Sequence, residues 1–152
     1  MKRSAGILLY RKSKAGLEVF LVHPGGPFFA KKDDGFWTIP KGEIEEEKDP
    51  LQEAIREFEE ETSYKLKGKF IELGEIKQKG GKYVQAWALE GDVDPGKISS
   101  NEFEIEWPPR SGKKKKFPEV DKAAWFTIDE AKIKMNAAQL ELIERLRKSE
   151  NV

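Results

Sequence analysis

Apolar and polar positions change period several times along this chain, and each change predicts an element. Residues 4–10 (SAGILLY) and 17–23 (LEVFLVH) are apolar, β-branched and aromatic runs joined by a polar segment that contains Gly16. Short runs of this kind predict the two strands of a hairpin. The Gly- and Pro-rich stretch 23–35 (HPGGPFFAKKDDG) reads as a long loop, and 36–40 (FWTIP) as a short strand that Pro40 ends. Between 50 and 62 the period lengthens. Leu51, Ala54, Ile55, Phe58 and Thr62 recur at the spacing of one buried helical face. Asp49 is a good N-cap, Pro50 suits the first helical position, and Gln52 completes a capping-box-like pattern.

Two further strands, 68–78 (GKFIELGEIKQ) and 82–91 (KYVQAWALEG), are closed into a hairpin by Gly80 and Gly81. Residues 92–118 read mostly as loop. Only 103–107 (FEIEW) alternates as a strand edge would, and the run Lys113 to Lys116 reads as a mobile, solvated loop, the alternative being a patch that steers polyphosphate or RNA. A last strand at 123–128 (AAWFTI), a short helix opening at DEAKIKM and an amphipathic helix at 136–150 complete the pattern. With no internal repeat and no dividing linker, residues 1–152 are expected to form one α/β domain.

Composition narrows the chemistry. Basic and acidic residues number 28 each, so the net charge makes no case for a nucleic-acid or acidic partner. The absence of Cys and the presence of one His, His23, exclude structural zinc, thiol catalysis and disulfides. A metal would be held by oxygen, which favours Mg²⁺, Mn²⁺ or Ca²⁺. No apolar run has transmembrane length and the N-terminal one is too short for a signal peptide, so a cytoplasmic protein without a membrane partner is expected.

The stretch 57–61 gathers Glu57, Glu59, Glu60 and Glu61 around Phe58. Glu57, Glu60 and Glu61 are related as i, i+3, i+4 and share one side of the helix, with a mean direction roughly 120° from the apolar stripe. Carboxylates so close repel unless a cation or protons intervene, and a divalent hard cation is the simplest remedy. The plainer reading of an acidic helix is a solvated face; Glu59, which points elsewhere, is read that way.

What precedes the helix decides between these readings. Residues 42–64, GEIEEEKDPLQEAIREFEEETSY, resemble the Nudix box: Gly42 matches its opening Gly, Arg56-Glu57-Phe58 its Arg-Glu-apolar triplet, and Glu60-Glu61 its paired Glu. Tyr64 takes the final apolar position, and FWTIPKG resembles the strand that leads into the box. The resemblance implies an α/β/α sandwich with a mixed sheet and a loop-helix-loop catalytic motif. It implies Mg²⁺- or Mn²⁺-dependent hydrolysis of a nucleoside diphosphate linked to another group. Carried over residue by residue, Glu57, Glu60 and Glu61 are the metal-binding carboxylates, the Gly42 carbonyl is a further ligand, and Arg56 orients the glutamates. Water activation falls to Glu57 or to a glutamate of the segment Glu102, Glu104, Glu106. Dinucleoside polyphosphates or nucleoside triphosphates lead as substrates, with ADP-ribose and similar sugar nucleotides next. The rival reading is a catalytically impaired Nudix domain that senses a nucleotide or RNA; an RNA-end hydrolase would draw on the lysine run. A monomer and a homodimer are equally compatible.

Two positions depart from the box. Its Glu six residues after Gly42 is Lys48 here. In the family that Glu supports the site more than it carries the chemistry, so weakened activity is expected and Lys48→Glu should raise Mg²⁺ affinity or turnover. Its Gly after the paired Glu is Ser63. A left-handed residue with a Cβ costs about 1 kcal/mol, so Ser63→Gly should stabilise slightly. Outside the box, Lys41 beside Gly42, Arg110 between stiff prolines, and Tyr83 are the candidate substrate contacts. Trp37, Trp87 and Trp107 join Tyr83 as candidates for base stacking, although strand aromatics are more often core. His23 reads as a strand-end residue rather than a catalytic base.

Overall fold

The structure, a computed structural model, describes residues 3–150. Its centre is β1 (Arg3–Ser13), which has a different neighbour along each part of its length. Near its end it forms the expected hairpin with β2 (Gly16–Pro24), in the register Tyr10↔Val19 to Ser13↔Gly16. Near its start the same edge is taken by β3 (Lys41–Glu43), with Ala5 opposite Gly42. The segment 36–40 is therefore a connector rather than the strand expected. Thr38 exchanges backbone hydrogen bonds of 2.9 and 3.0 Å with Val22, and Ile7 N–H donates to the Pro40 carbonyl at 3.1 Å. Pro40 has no N–H to return, so a regular ladder begins only after it.

On its other edge β1 pairs in parallel with β5 (Lys82–Glu90), which pairs antiparallel with β4 (Ile71–Gln78) through the Gly80-Gly81 turn. β8 (Val120–Thr127) lies antiparallel beside β2, so the sheet runs β4-β5-β1-β2-β8 and is mixed. The apolar runs of β1 and β2 are continuous because both faces are covered. Leu8, Tyr10, Val19 and Leu21 meet Leu142, Ile143 and Leu146 of α3 (Leu140–Ser149) and Ala131 of α2 (Ile128–Lys134). Ile7, Leu9, Phe20 and Val22 meet Ala54 and Phe58 of α1 (Pro50–Thr62). The fold is the α/β/α sandwich expected. Trp37 and Trp87 are buried core residues, so neither offers a face to a base.

The interval 92–118 differs from expectation. β6 (Glu102–Glu106) and β7 (Lys114–Pro118) form a separate two-stranded sheet, and the lysine run is mostly strand. Lys116 lies opposite Glu104 and Lys114 opposite Glu106, so acids across the ladder offset a sequence of like charges that taken alone disfavours structure. The hairpin packs on the β2–β3 loop through Phe103, whose ring fills the space a side chain at Gly26 would need. His23 is fully buried, with Nδ1 2.8 Å from Asp121 Oδ1 and Nε2 2.6 Å from the Lys32 carbonyl. It ties this loop to β8 and has no nitrogen free for a substrate.

Candidate active site

α1 is locally specified at both ends. The Asp49 side chain accepts from Gln52 N–H at 3.0 Å, and Ser63 closes the helix in the left-handed region at φ 60°. Phe58, fully buried against Phe20 with ring centroids 5.9 Å apart, sets the rotation of the helix about its axis. Glu57 and Glu61 then face β3. A Cβ at Gly42 would occupy the position of the Glu57 carboxyl group, so only glycine lets that side chain lie against the β3 backbone. The Lys41 backbone N–H donates to the Glu61 carboxylate.

The three box carboxylates do not share one environment. Glu61 is only 8% exposed, because β3 covers its side of the helix, and its Oε2 has no hydrogen-bond partner. Burial pushes its pKa up to about 8, with help from Glu57 and Glu119 and against the pull of Lys41. Burial also raises Glu57, which Arg56 opposes and Glu60 and Glu119 reinforce. Glu60 is directed outward, its Oε2 held by Arg56 Nη1 at 2.8 Å. Arg56 also binds Glu53 through Nε at 3.0 Å and Nη2 at 3.3 Å, and Glu57 Oε1 through Nη2 at 3.0 Å. Its own pKa is raised, first by the Glu53 hydrogen bond. Arg56 thus contacts Glu57 and Glu60 of the box and is itself held by one more acid, Glu53, than the box includes.

Among the described residues, no three acidic side chains already surround one point. What the site does offer is a buried carboxylate oxygen without a partner, a second carboxylate pressed on a glycine backbone, and a third acid within electrostatic reach. That donor set fits a hard divalent cation, which would relieve the same repulsion that protonation relieves here.

The third acid is Glu119, which precedes β8 and lies outside the glutamates considered from sequence. Glu102, Glu104 and Glu106 are exposed on β6, with Glu104 and Glu106 opposite lysines, and none of them is among the groups that perturb Glu57 or Glu61. Arg110 sits in the turn of that small sheet, its backbone N–H donating to Glu106 at 2.7 Å, with no contact to a box residue among the described residues. Trp107 stacks edge-on with the exposed Phe28 at 5.5 Å. Tyr83, half-buried on β5 between Arg3 and Lys77, shares the strand face of Trp87. Glu59 is more than a solvated acid, since its Oε2 accepts from Leu66 N–H at 3.1 Å and anchors the chain after the helix.

Lys41 connects the carboxylates to a cavity of about 450 Å³, lined by Phe36, Lys41, Gln78, Lys79, Lys82 and the 136–138 turn. Burial lowers the pKa of Lys41, with Glu61 opposing and Lys82 reinforcing the shift. None of the three lysines makes an ion pair among the described residues. Neither Lys79 nor Lys82 stood out in sequence, because each is an ordinary lysine beside a hairpin turn.

The family model of the NUDIX domain matches residues 1–146. No curated protein matches the sequence significantly. Among solved structures, an Ap4A hydrolase of C. elegans, in a binary complex, superposes with a TM-score of 0.68 at 20% identity, covering 97% of this chain and 98% of that one. A mutT/nudix family protein of Listeria innocua gives 0.64 at 19% identity over 99% and 94%. The NUDIX domain of Shewanella oneidensis NrtR, complexed with ADP ribose, gives 0.64 at 18% over 97% and 86%. The family match makes the chain a pyrophosphohydrolase of the Nudix type. The chain belongs to the Nudix hydrolase family.

Proposed function

We propose that this Nudix hydrolase cleaves the phosphoanhydride linkage of nucleotides with three or more contiguous phosphates, dinucleoside polyphosphates or nucleoside triphosphates, with Mg²⁺ or Mn²⁺ as cofactor. The observation that carries this reading is the Glu61 carboxylate, whose Oε2 has no hydrogen-bond partner, near a cavity whose three lysines make no ion pair among the described residues. Folds like this one occur in an Ap4A hydrolase and in a domain complexed with ADP ribose, so the fold does not choose between substrates. The lysines favour the longer phosphate chain, because ADP-ribose has only two phosphates, each attached to a sugar.

Glu57, Glu60, Glu61 and the Gly42 carbonyl would hold the metal, which when bound neutralises phosphate charge and acidifies water. Arg56 bridges Glu57 and Glu60 and aims both. Lys41, Lys79 and Lys82 bind and neutralise the phosphates beyond the scissile bond. Glu119 is the better placed general base, since its exposed side chain is not held by Arg56 as that of Glu57 is. It takes a proton from the attacking water as the new P–O bond forms and the anhydride P–O bond breaks.

A phosphate-release screen with Mg²⁺ across ATP, diadenosine tetraphosphate and ADP-ribose tests this reading, with Glu60→Gln and Glu61→Gln as controls. The expected result is a kcat/KM at least about tenfold higher for the longer phosphate chains, consistent with about 1.4 kcal/mol of added contact, and loss of turnover in both controls. No turnover on any substrate together with tight nucleotide binding would favour the sensor.

A further inference from the structure

We propose that Glu53 is a positioning residue that has taken over the role the Nudix box gives to the acid six residues after its first glycine, a place held here by Lys48. This inference rests on the reading of α1 as the catalytic helix. Lys48 is exposed and precedes the N-cap, so its side chain begins outside the helix. Glu53 lies in the first turns, three residues before Arg56, where the helical repeat sets a carboxylate alongside the guanidinium. Both of its oxygens are used: Oε2 accepts from Nε at 3.0 Å and Oε1 from Nη2 at 3.3 Å. Nη1 donates to Glu60, and Nη2, shared with Glu53, donates to Glu57. Every nitrogen of Arg56 is engaged, and the paired contact comes from Glu53 alone.

The paired contact matters because Arg56 is 45% exposed. Single exposed ion pairs contribute at most about 1 kcal/mol and do not hold a long side chain in one rotamer. A two-point fork fixes the plane of the guanidinium as well as its place. The Glu53 side chain is only 16% exposed, so the fork starts from a carboxylate that is itself confined. With Arg56 in one plane, Glu57, which lies against Gly42, and Glu60 are each held by a fixed nitrogen. Lys48 is within electrostatic reach of Glu53. An acid restored at position 48 would therefore stand near the charge it has to replace.

Four proteins decide the matter: the wild type, Glu53→Gln, Lys48→Glu and the double variant. Each is measured for kcat and KM on the best substrate of the screen, for Mn²⁺ affinity by electron paramagnetic resonance, and for melting temperature. Loss of a partner that orients a ligand shell costs about tenfold or more. Glu53→Gln should therefore lower kcat about tenfold with KM within about twofold, and weaken Mn²⁺ binding about threefold or more. Lys48→Glu alone should stay within about twofold of wild type, while the double variant should recover most of the loss. The Arg56 Nε–Hε resonance should be visible and slowly exchanging in the wild type, lost in Glu53→Gln and restored in the double variant. A Glu53→Gln protein with wild-type kcat and Mn²⁺ affinity would overturn the inference. So would a loss that Lys48→Glu leaves unrepaired. A wild type that turns over no substrate would count against the proposed function alone, since Mn²⁺ affinity and the Arg56 resonance still decide the role of Glu53.

Discussion

Glu61 and Ser63, two positions apart, show how much a single residue's surroundings decide. The Glu61 carboxyl group is raised in the folded protein from about 4.5 to about 8, chiefly by burial. A raised folded-state pKa means that the native state holds its proton more tightly than the unfolded chain. Its contribution to stability is therefore complete below about pH 4.5 and lost as pH rises through about 8. In EDTA the melting temperature should fall between pH 5 and pH 9, and Glu61→Gln should flatten that fall; an unchanged slope in thermal melts of the variant would contradict the assignment. Ser63 pays the left-handed penalty expected of it, at φ 60°, yet its Oγ donates to the Ser99 carbonyl at 2.9 Å. About 1 kcal/mol of strain is thus set against about 1 kcal/mol of hydrogen bond. The slight stabilisation expected of Ser63→Gly accordingly shrinks, and differential scanning calorimetry should show a shift within about 2 °C. In the same way, Arg56 held by Glu53 lowers the gain expected from Lys48→Glu alone.

Among the elements, α1 was legible almost to the residue. Its N-cap, its proline and its apolar stripe are local features, and the observed helix runs from Pro50 to Thr62. β7 was not, because Lys114 to Lys116, three lysines of a run of four, become a strand only when Glu104 and Glu106 lie across from them. The β4–β5 hairpin was legible as a hairpin, while its role beside the site was not. Lys79 and Lys82 flank its tip and line the cavity that also contains Lys41. Replacing Lys79 and Lys82 by alanine should raise KM for a polyphosphate substrate about fivefold each, with kcat little changed, for contacts of about 1 kcal/mol. ADP-ribose kinetics should barely move. Equal effects on both substrates in steady-state assays would place the cavity outside the phosphate path.

For the molecule as a whole, the proposed metal site would link metal binding to folding. A cation that binds the native site stabilises it by about 2.7 kcal/mol at a hundredfold excess over its dissociation constant. Added Mg²⁺ or Mn²⁺ should raise the melting temperature and EDTA should reverse it. The rise should be larger at pH 8 than at pH 6, because the metal displaces a proton from Glu61. Glu61→Gln should remove most of the rise in a thermal-shift titration, and a full rise in that variant would exclude Glu61 as a ligand.

By itself the sequence determined the periods of the main strands, both ends of α1, the box and its two departures. These follow from neighbours along the chain, and a helix or a strand is aimed by the spacing of its own apolar residues. The tertiary structure alone decided that Glu61 would be buried while Glu60 would not, since that depends on β3 covering one side of α1. It alone brought Glu119, remote in sequence, to the carboxylates, and it joined Lys79 and Lys82 to Lys41. Such meetings depend on strand register and on the path of loops, and the side chains that meet leave no local pattern to read.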